Sequence, residues 1–272
     1  MTPISSQQNP RIKELRKLQR SRDRARTGLF IAEGEDLIAA AIAAGRPAVE
    51  GFRLAGTAIG GPGFEDVEGD VLASVSTLGS GTRAIGVYEQ RFSDPVGPLC
   101  VYLHGVSDPG NVGTILRSAL AFGASSVALG PGCADPHSPK AVRAGMGAIF
   151  AVPIARVEGV GELPGARVAL VAHAGNPLAS VVEALAGGPG GGALSGSGAT
   201  GGNAACDVPA SAGVAAVTLC VGAEREGLPE EVVAGCDHVA NIPIASESLN
   251  AAMAATVALY EMTRRSTRVR AS

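Results

Sequence analysis

Apolar residues recur at helical spacing directly after a turn signal in the segment 108–129. The tripeptide Asp-Pro-Gly at 108–110 is typical of a turn, and Gly123 is a residue type that commonly ends a helix. Between them lies one apolar helical face, made of Val112, Ile115, Leu116, Ala119 and Leu120. The apolar run at 126–129 then predicts a buried strand.

Two polar residues of this segment are candidates for chemistry. Asn111 and Arg117 are six residues apart, so at about 100° per residue they lie on opposite sides of a regular helix. They approach one another more closely if Asn111 precedes the helix. We therefore place Asn111 in the turn and Arg117 on the second helical turn.

Strand-like and helix-like segments alternate from residue 99 onward. Strands are predicted at 99–103, 126–129, 168–172 and 217–221, and helices after Asn111, at 140–150 and at 249–262. This alternation favours a parallel sheet with crossover helices. The expected fold class is α/β.

The first 92 residues have a different organisation. Ile12, Leu15 and Leu18 repeat every three residues and predict a short amphipathic helix. A second helix is expected to contain Leu37, Ile38, Ala41 and Ile42 and to end at Gly45. Short apolar runs follow, split by Gly, Pro and acidic residues. We predict a small α/β domain at 1–92, a linker at 92–98 and a second domain at 98–272.

Residues 186–205 form a Gly-rich insertion that is too poor in bulky side chains to pack, and we expect it to be disordered on the surface. Its Gly-Ser-Gly-Ala-Thr-Gly run at 196–201 matches the dinucleotide fingerprint in letters alone. No strand precedes it and no apolar helix follows, which argues against a Rossmann-type site.

The net charge of −3 divides unevenly along the chain. Residues 1–26 hold eight Lys and Arg against two acids, the last ten hold four Arg and no acid, and the remainder holds 10 basic against 23 acidic residues. Clustered cations suit phosphate contacts, and a solvated helix face is the alternative.

Other classes of protein are disfavoured by composition. No apolar run reaches the roughly 18 residues of a membrane span, and the first residues lack a secretory signal, so we expect a cytoplasmic location. The five cysteines show no metal-ligand spacing, and we expect them to be reduced and mostly buried. The four histidines suggest neither a metal site nor a triad.

Three separated segments carry a family resemblance. They are 107–123, 219–229 (Leu-Cys-Val-Gly-Ala-Glu-Arg-Glu-Gly-Leu-Pro) and 242–254 (Ile-Pro-Ile-Ala-Ser-Glu-Ser-Leu-Asn-Ala-Ala-Met-Ala). In this order they resemble the SpoU (TrmH-like) family of RNA ribose 2′-O-methyltransferases in the SPOUT superfamily. Segment 135–150 is similar to the same family, and Phe-Ile-Ala-Glu-Gly at 30–34 resembles its small substrate-binding domain.

The resemblance implies a SPOUT methyltransferase domain with a C-terminal trefoil knot, S-adenosylmethionine as cofactor, and a homodimer. It implies an RNA-binding role for the small α/β domain. It places the cofactor near Gly222, Ile242 and Leu249. It also places five residues around the reaction centre, namely Asn111, Arg117, Glu224, Ser248 and Asn250.

The roles of these residues stay open at the level of sequence. The family arginine, here Arg117, has been regarded as the general base, yet a guanidinium holds its proton tightly, and we favour an anchor for phosphate or hydroxyl. The alternatives are that Asn111 is only a turn residue and that Arg117 only forms a surface ion pair. Glu224 can position Arg117 or sit at a helix start, and Ser248 with Asn250 can cap the helix at 249–262.

The substrate we expect is ribosomal RNA, since an added small domain suits a folded RNA. The alternatives are a transfer RNA methyltransferase and a catalytically silent RNA-binding protein of the same fold. The loop of three residues between Pro243 and Glu247 is shorter than the family commonly has, which motivates the silent alternative. The apolar face of Met253, Val257 and Tyr260 is expected in a dimer interface or packed on its own sheet.

Overall fold

The computed structural model of the protein describes residues 2–78, 81–187 and 216–268, and within them the strands form two β-sheets. The first sheet lies in the N-terminal part. Its helices and strands are α1 (Pro10–Lys17), α2 (Ser21–Thr27), β1 (Leu29–Glu33), α3 (Glu35–Ala43), β2 (Glu50–Leu54), β3 (Phe64–Val67), α4 (Gly69–Ala73) and β4 (Ala84–Glu89).

The N-terminal sheet has the strand order β1-β4-β2-β3, with β2 and β3 parallel and the other two pairs antiparallel. Helices α1 and α4 cover one face of it. The amphipathic prediction for α1 is confirmed, because Ile12, Leu15 and Leu18 are buried in a cluster with Phe52 of β2. Ile42 lies in α3 as predicted and is exposed there, and the helix ends at Ala43 rather than at Gly45.

The second sheet carries seven strands in the order β7-β6-β5-β10-β8-β11-β9, and all its pairs are parallel. This confirms the parallel α/β prediction. Its elements are β5 (Leu99–Leu103), α5 (Pro109–Ala121), β6 (Ser126–Leu129), α6 (Pro139–Gly145), α7 (Ala148–Ala151), β7 (Ile154–Arg156), β8 (Ala166–Leu170), β9 (Asn176–Pro177), α8 (Leu178–Gly187), β10 (Val217–Val221), α9 (Glu230–Ala234), β11 (His238–Asn241) and α10 (Ala251–Arg268).

Parallel strands covered on both faces read as continuous apolar runs, and all five residues of β10 are buried. On one face, α5 and α10 contact each other above the central strands. The predicted α5 face is buried at Val112, Ile115, Leu116 and Ala119, whereas Leu120 at its rim is exposed.

The two sheets share a core. Phe30 and Ala32 of β1 point away from α1 and join the apolar cluster of the large sheet, while Ile31 between them points toward α1. The rings of Tyr88 and Phe150 meet edge to face, with their centroids 4.7 Å apart. The segment 92–98, predicted as a linker, carries no helix or strand.

Three local predictions differ from the structure. Asn111 is not in the turn before α5, because Pro109 already occupies the first helical position and Asp108 caps the helix through its side chain. Arg117 consequently lies on the third turn, not the second. The helix predicted at 140–150 is two helices, α6 and α7, separated where Met146 and Gly147 take left-handed φ values of 46° and 91°.

The disordered state predicted for the insertion at 186–205 falls almost wholly outside the described residues, which resume at residue 216. Within the described part, no helix is long and apolar enough to cross a membrane.

Candidate active site

A cavity of about 650 Å³ opens at the carboxyl ends of β8 and β10. Parallel strands end at the same edge of a sheet, and ligands of open α/β sheets bind beyond that edge. The three residues predicted to hold the cofactor, Gly222, Ile242 and Leu249, all line this cavity. Glu224 and Ser248 line it as well.

Gly222 directly follows β10, and the structure shows why this position needs glycine. The loop 223–228 folds back so closely that a Cβ on Gly222 would collide with the backbone of Gly227 and Leu228. The fold-back is closed by a hydrogen bond from the Gly227 amide to the carbonyl oxygen of Ala223, at 3.0 Å. The close neighbour that requires glycine at this position is therefore the chain itself.

Three of the five predicted reaction-centre residues form one hydrogen-bonded chain. The Asn250 amide nitrogen donates to the Asn111 side-chain oxygen at 3.2 Å, and the Asn111 amide nitrogen donates to the Glu224 carboxylate. Asn250 directly precedes α10, Asn111 lies in the first turn of α5, and Glu224 lies in the loop after β10. The chain therefore joins three elements at the cavity.

Asn250 also caps α10. Its side-chain oxygen accepts from the backbone amides of Ala252 and Met253, at 2.9 and 3.3 Å. This fixes the orientation of the Asn250 amide group, because the oxygen is taken by the helix and the nitrogen is left to face Asn111. The orientation of Asn111 follows in turn, with its nitrogen toward Glu224.

Ser248 and Arg117 stand outside this chain of hydrogen bonds. Ser248 is exposed at the cavity wall, and the Ser246 hydroxyl donates to its carbonyl oxygen at 3.3 Å. Arg117 is exposed on α5, and within residues 2–78, 81–187 and 216–268 it forms no hydrogen bond or ion pair. The predicted alternative of a surface ion pair for Arg117 is thus not seen in the described part, and its guanidinium is open to solvent.

The walls of the cavity combine apolar and acidic groups. Leu170, Val221 and Leu228 supply apolar surface, while three carboxylates and one guanidinium also line it, namely Glu224, Glu226, Glu247 and Arg225. A further wall residue, His173, was not singled out from the sequence. It follows β8, whose carboxyl end meets that of β10, and this adjacency becomes visible only once the strand order is known.

Asp108 organises the entrance of α5. Its carboxylate accepts from the Gly110 amide at 2.6 Å and lies 2.9 Å from the Lys140 ammonium nitrogen. The hydrogen bond from Lys140 and that from the Gly110 amide lower the pKa of Asp108 below its ordinary value. The first turn of α5, which carries Asn111, is therefore held to α6 by an ion pair.

No group of three or more metal-ligating side chains occurs in the part of the chain that the structure describes. The described cysteines are free thiols; Cys100 and Cys220 are buried, and Cys133 and Cys236 are half-buried.

Residues 98–260 match the SpoU rRNA Methylase family, over more than half of the chain. The chain belongs to this family. Residues 9–56 match the MRM3-like substrate binding domain.

Individual relatives agree with the family assignment. The chain is 35% identical over 160 residues to a 23S rRNA (uridine(2479)-2′-O)-methyltransferase of Streptomyces viridochromogenes, covering 58% of this chain and 50% of that protein. It is 27% identical over 179 residues to a 23S rRNA (guanosine(2553)-2′-O)-methyltransferase of Bacillus subtilis, covering 57% of this chain and 65% of that protein. The chain thus spans less than two thirds of the length of either relative.

A solved structure resembles the chain over nearly its whole length. The AdoMet-bound rRNA methyltransferase from Sinorhizobium meliloti superposes with a TM-score of 0.76 and 29% identity, covering 97% of this chain and 98% of that one. The similarity includes the N-terminal sheet as well as the seven-stranded sheet.

Proposed function

We propose that the protein transfers a methyl group from S-adenosylmethionine to a ribose 2′-hydroxyl of RNA, and that the RNA is ribosomal. The observation that carries the proposal is the juxtaposition of the cavity with the Asn250–Asn111–Glu224 chain of hydrogen bonds. It sets fixed donors and acceptors beside a cavity of cofactor size, which is what the alignment of two reactants requires.

The residues of the cavity fit S-adenosylmethionine. A volume of about 650 Å³ lies in the range of small-molecule sites, and apolar walls such as Leu170 and Leu249 suit an adenine ring. Glu224, Glu226 and Glu247 complement the positive charge of a sulfonium. When bound, the cofactor supplies an electrophilic methyl group on that sulfonium.

The side chains around the cavity then have separate tasks. Arg117, which is exposed and without a partner in the described part, binds a phosphate or the hydroxyl of the RNA. A guanidinium is a poor base, so Arg117 acts by lowering the proton affinity of the hydroxyl that it binds. Asn111 and Ser248 orient the ribose, and Glu224 holds Asn111 in place. Positioning and electrostatics supply most of the acceleration.

The choice of ribosomal RNA rests on the relatives and on the small domain. Both curated relatives named above are 23S rRNA 2′-O-methyltransferases, and the match at residues 9–56 is to a substrate-binding domain. We place the domain boundaries at 1–92 and 98–272, and we assign RNA binding to the first domain.

We also propose the C-terminal trefoil knot that the family resemblance implies. Strand β10 enters the sheet between β5 and β8, which are both earlier in the chain. After it, the chain passes β11 on the far side of β8 and returns as α10 to contact α5. A late segment threaded among earlier ones supports a knotted path.

A homodimer is the assembly that the surface supports. Helix α10 buries Ala251, Ala255 and Leu259, whereas its opposite face exposes Met253 (62%), Val257 (42%) and Tyr260 (55%). The alternative, that this second face packs on the chain's own sheet, disagrees with these exposures. A second copy of the chain is our proposed cover for it.

Methyl transfer tests the proposed function directly. Purified protein is incubated with S-adenosylmethionine carrying a tritiated methyl group and with either ribosomal or transfer RNA lacking the modification. We expect label in ribosomal RNA, recovered after alkaline hydrolysis in a dinucleotide, because a methylated 2′-oxygen cannot attack the adjacent phosphate. Label in transfer RNA alone would favour the transfer RNA alternative. Absence of S-adenosylmethionine binding in calorimetry would favour a silent RNA-binding protein.

A further inference from the structure

One exposed aromatic ring is stacked against an arginine, and two further arginines lie in its neighbourhood. Arg156 ends β7 and places its guanidinium carbon 4.3 Å from the ring centroid of Phe92. Arg91 directly precedes Phe92, and Arg46 follows α3 and donates to the backbone carbonyl of Glu89 at 3.1 Å. We call Arg46, Arg91, Phe92 and Arg156 the Phe92 patch.

Glu89 brings Arg46 and Arg91 close together, because Arg46 donates to its backbone carbonyl and Arg91 pairs with its carboxylate. After burial, the neighbouring charge of Arg91 is the main cause that lowers the pKa of Arg46. Buried His137, whose ring lies 5.2 Å from that of Phe92, has its pKa lowered first by burial and then by Arg156, Arg24 and Arg46. The positive charges therefore converge on one place at the junction of the two sheets.

The charge of the patch is balanced only in part. In the described ranges no carboxylate forms an ion pair with Arg46 or Arg156, and the carboxylate of Glu89 lies 4.0 Å from Arg91. Like charges held together raise the free energy of the folded chain, and a bound polyanion removes that cost. Phe92 is 40% exposed, so the patch is open to a ligand.

The patch lies on the same edge of the large sheet as the cavity. Strands β7, β6, β5 and β10 are parallel neighbours in that order, so Arg156 and the cavity-lining Gly222 both follow carboxyl ends. Three strand spacings of about 4.8 Å separate them by about 14 Å. A single RNA strand spans this distance in a few nucleotides.

We propose that the Phe92 patch binds the phosphate backbone of the substrate RNA a few nucleotides from the ribose that enters the cavity. The proposal rests on the proposed function and adds the path of the RNA to it. Phe92 holds the planar guanidinium of Arg156, whose fork matches a phosphate and whose outer face can stack on an unpaired base. The combination of arginines with an exposed ring suits a single-stranded loop.

This path differs from the one that the charge distribution of the sequence indicates. Several cations of segment 1–26 already have partners: Arg11 pairs with Glu50 and Glu65, and Arg24 is buried against Asp135. These charges are neutralised by ion pairs within the fold, whereas Arg46 and Arg156 form no ion pair in the described ranges.

The salt dependence of RNA affinity tests the proposal. The probe is a fluorescein-labelled RNA hairpin with a single-stranded loop of seven nucleotides, titrated with full-length protein between 50 and 200 mM KCl. Arg46→Gln, Arg91→Gln and Arg156→Gln should each weaken binding and reduce the slope of log K against log salt by about 1. The matched control is Arg83→Gln, an exposed arginine of the small domain that pairs with Glu35 at 2.7 Å, and it should keep the wild-type slope.

A second measurement needs no variant. Ultraviolet crosslinking of the wild-type complex, followed by mass spectrometry, should attach the probe at Phe92. Wild-type slopes in all three patch variants together with no crosslink at Phe92 would overturn the proposal. So would stronger binding of poly-L-glutamate than of RNA with the same dependence on the arginines, which would assign the patch to an acidic protein.

The outcomes separate the patch from the proposed function. If the wild-type protein methylates ribosomal RNA while the patch variants keep wild-type salt slopes, only the patch is wrong. If the wild-type protein neither binds nor methylates RNA, the proposed function itself fails, and the patch with it.

Discussion

His137 is buried between two aromatic rings at the junction of the two sheets. Its ring centroid lies 4.8 Å from that of Phe30, and its Nδ1 has no hydrogen-bond partner in the described part of the chain. The nearest carboxylate, Asp135, lies 3.8 Å from Nδ1 and accepts two hydrogen bonds from Arg24. This environment favours the neutral imidazole.

Stability should therefore fall in mildly acidic solution. Burial is the largest cause lowering the pKa of His137 to about 4, from an ordinary value of 6.5. The unfolded chain takes up a proton at this residue before the folded chain does, so stability is complete above pH 6.5 and declines as the pH drops from 6.5 toward 4. The loss amounts to about 3 kcal/mol from this residue, measurable by urea unfolding at a series of pH values.

The variant His137→Phe isolates this effect. Phenylalanine keeps an aromatic ring between Phe30 and Phe92 but does not titrate. The substitution breaks no hydrogen bond at Nδ1, because Nδ1 has no partner in the described part of the chain. We expect the variant to lose the decline between pH 6.5 and 4. An equal decline in wild type and variant would assign the acid sensitivity to other groups.

Substitution of Arg117 should abolish activity without changing the stability of the fold. Because it is exposed and has no partner in the described ranges, Arg117→Ala should leave the melting temperature and S-adenosylmethionine affinity close to wild type. Single-turnover methyl transfer should be abolished. Arg117→Lys should also fail, since an ammonium does not reproduce the planar fork.

The control for Arg117 is Arg83→Ala, which removes an exposed guanidinium in the other sheet. It should retain turnover. Near-normal turnover of Arg117→Ala would remove this residue from the mechanism.

The residue that directly precedes helix α10, Asn250, has two roles. Asn250 caps the helix with its oxygen and donates to Asn111 with its nitrogen. The sequence predicted capping and a place at the reaction centre as compatible alternatives for this residue. The structure joins them, because one amide group supplies both an acceptor and a donor.

Two substitutions at Asn250 separate the tasks. Asn250→Ala removes the cap and should lower the free energy of unfolding by about 1 kcal/mol. Asn250→Asp keeps a capping oxygen, and its negative charge suits a helix start, so stability should be retained. Aspartate cannot donate to the Asn111 oxygen, and methyl transfer should fall in both variants. Full activity of Asn250→Asp in the assay, with thermal unfolding measured alongside, would reduce Asn250 to a cap.

At the scale of elements, the sequence predicts those that carry their own periodicity. Strand β10 and the buried face of α5 are examples, since five buried residues in a row or a repeat at 3.6 residues is visible locally. Strands β7, β9 and β11 were not predicted. They span three, two and four residues, and they exist because a neighbouring strand pairs with them.

The candidate site was predicted by resemblance rather than by pattern. The geometry that joins Asn111, Glu224 and Asn250 spans more than a hundred residues of sequence, so no local spacing reveals it. The same holds for Arg46 and Arg156 of the Phe92 patch, which both act on His137 although they are far apart in the sequence.

At the scale of the whole molecule, the shared core decides how the basic N-terminal segment can be tested. Ile12 and Leu15 are buried beneath the small sheet, and Arg24 is tied to Asp135 near the large one. Removing residues 1–26 would expose this core as well as remove charge. Neutralising the exposed Lys13 and Arg20 instead leaves the core intact. A weaker salt dependence of RNA affinity would then indicate phosphate contacts, and an unchanged salt dependence would indicate a solvated helix face.

The exposed face of α10 makes the assembly testable. Met253, Val257 and Tyr260 follow one another at spacings of four and three residues, so they lie on one side of the helix. We expect a homodimer in light scattering at micromolar concentration. Val257→Glu should convert it to a monomer, because a carboxylate without a partner would be buried in the interface.

The matched control for the dimer is Val49→Glu. Val49 is a valine of similar exposure, 55%, in the small domain and away from α10, so a charge there should leave the assembly unchanged. A wild-type monomer that methylates RNA would contradict the dimer proposal and would require each active site to be complete within one chain. Dimers that survive Val257→Glu would instead place the interface on another surface. The two results differ in the mass of the wild-type protein, so a single scattering series distinguishes them.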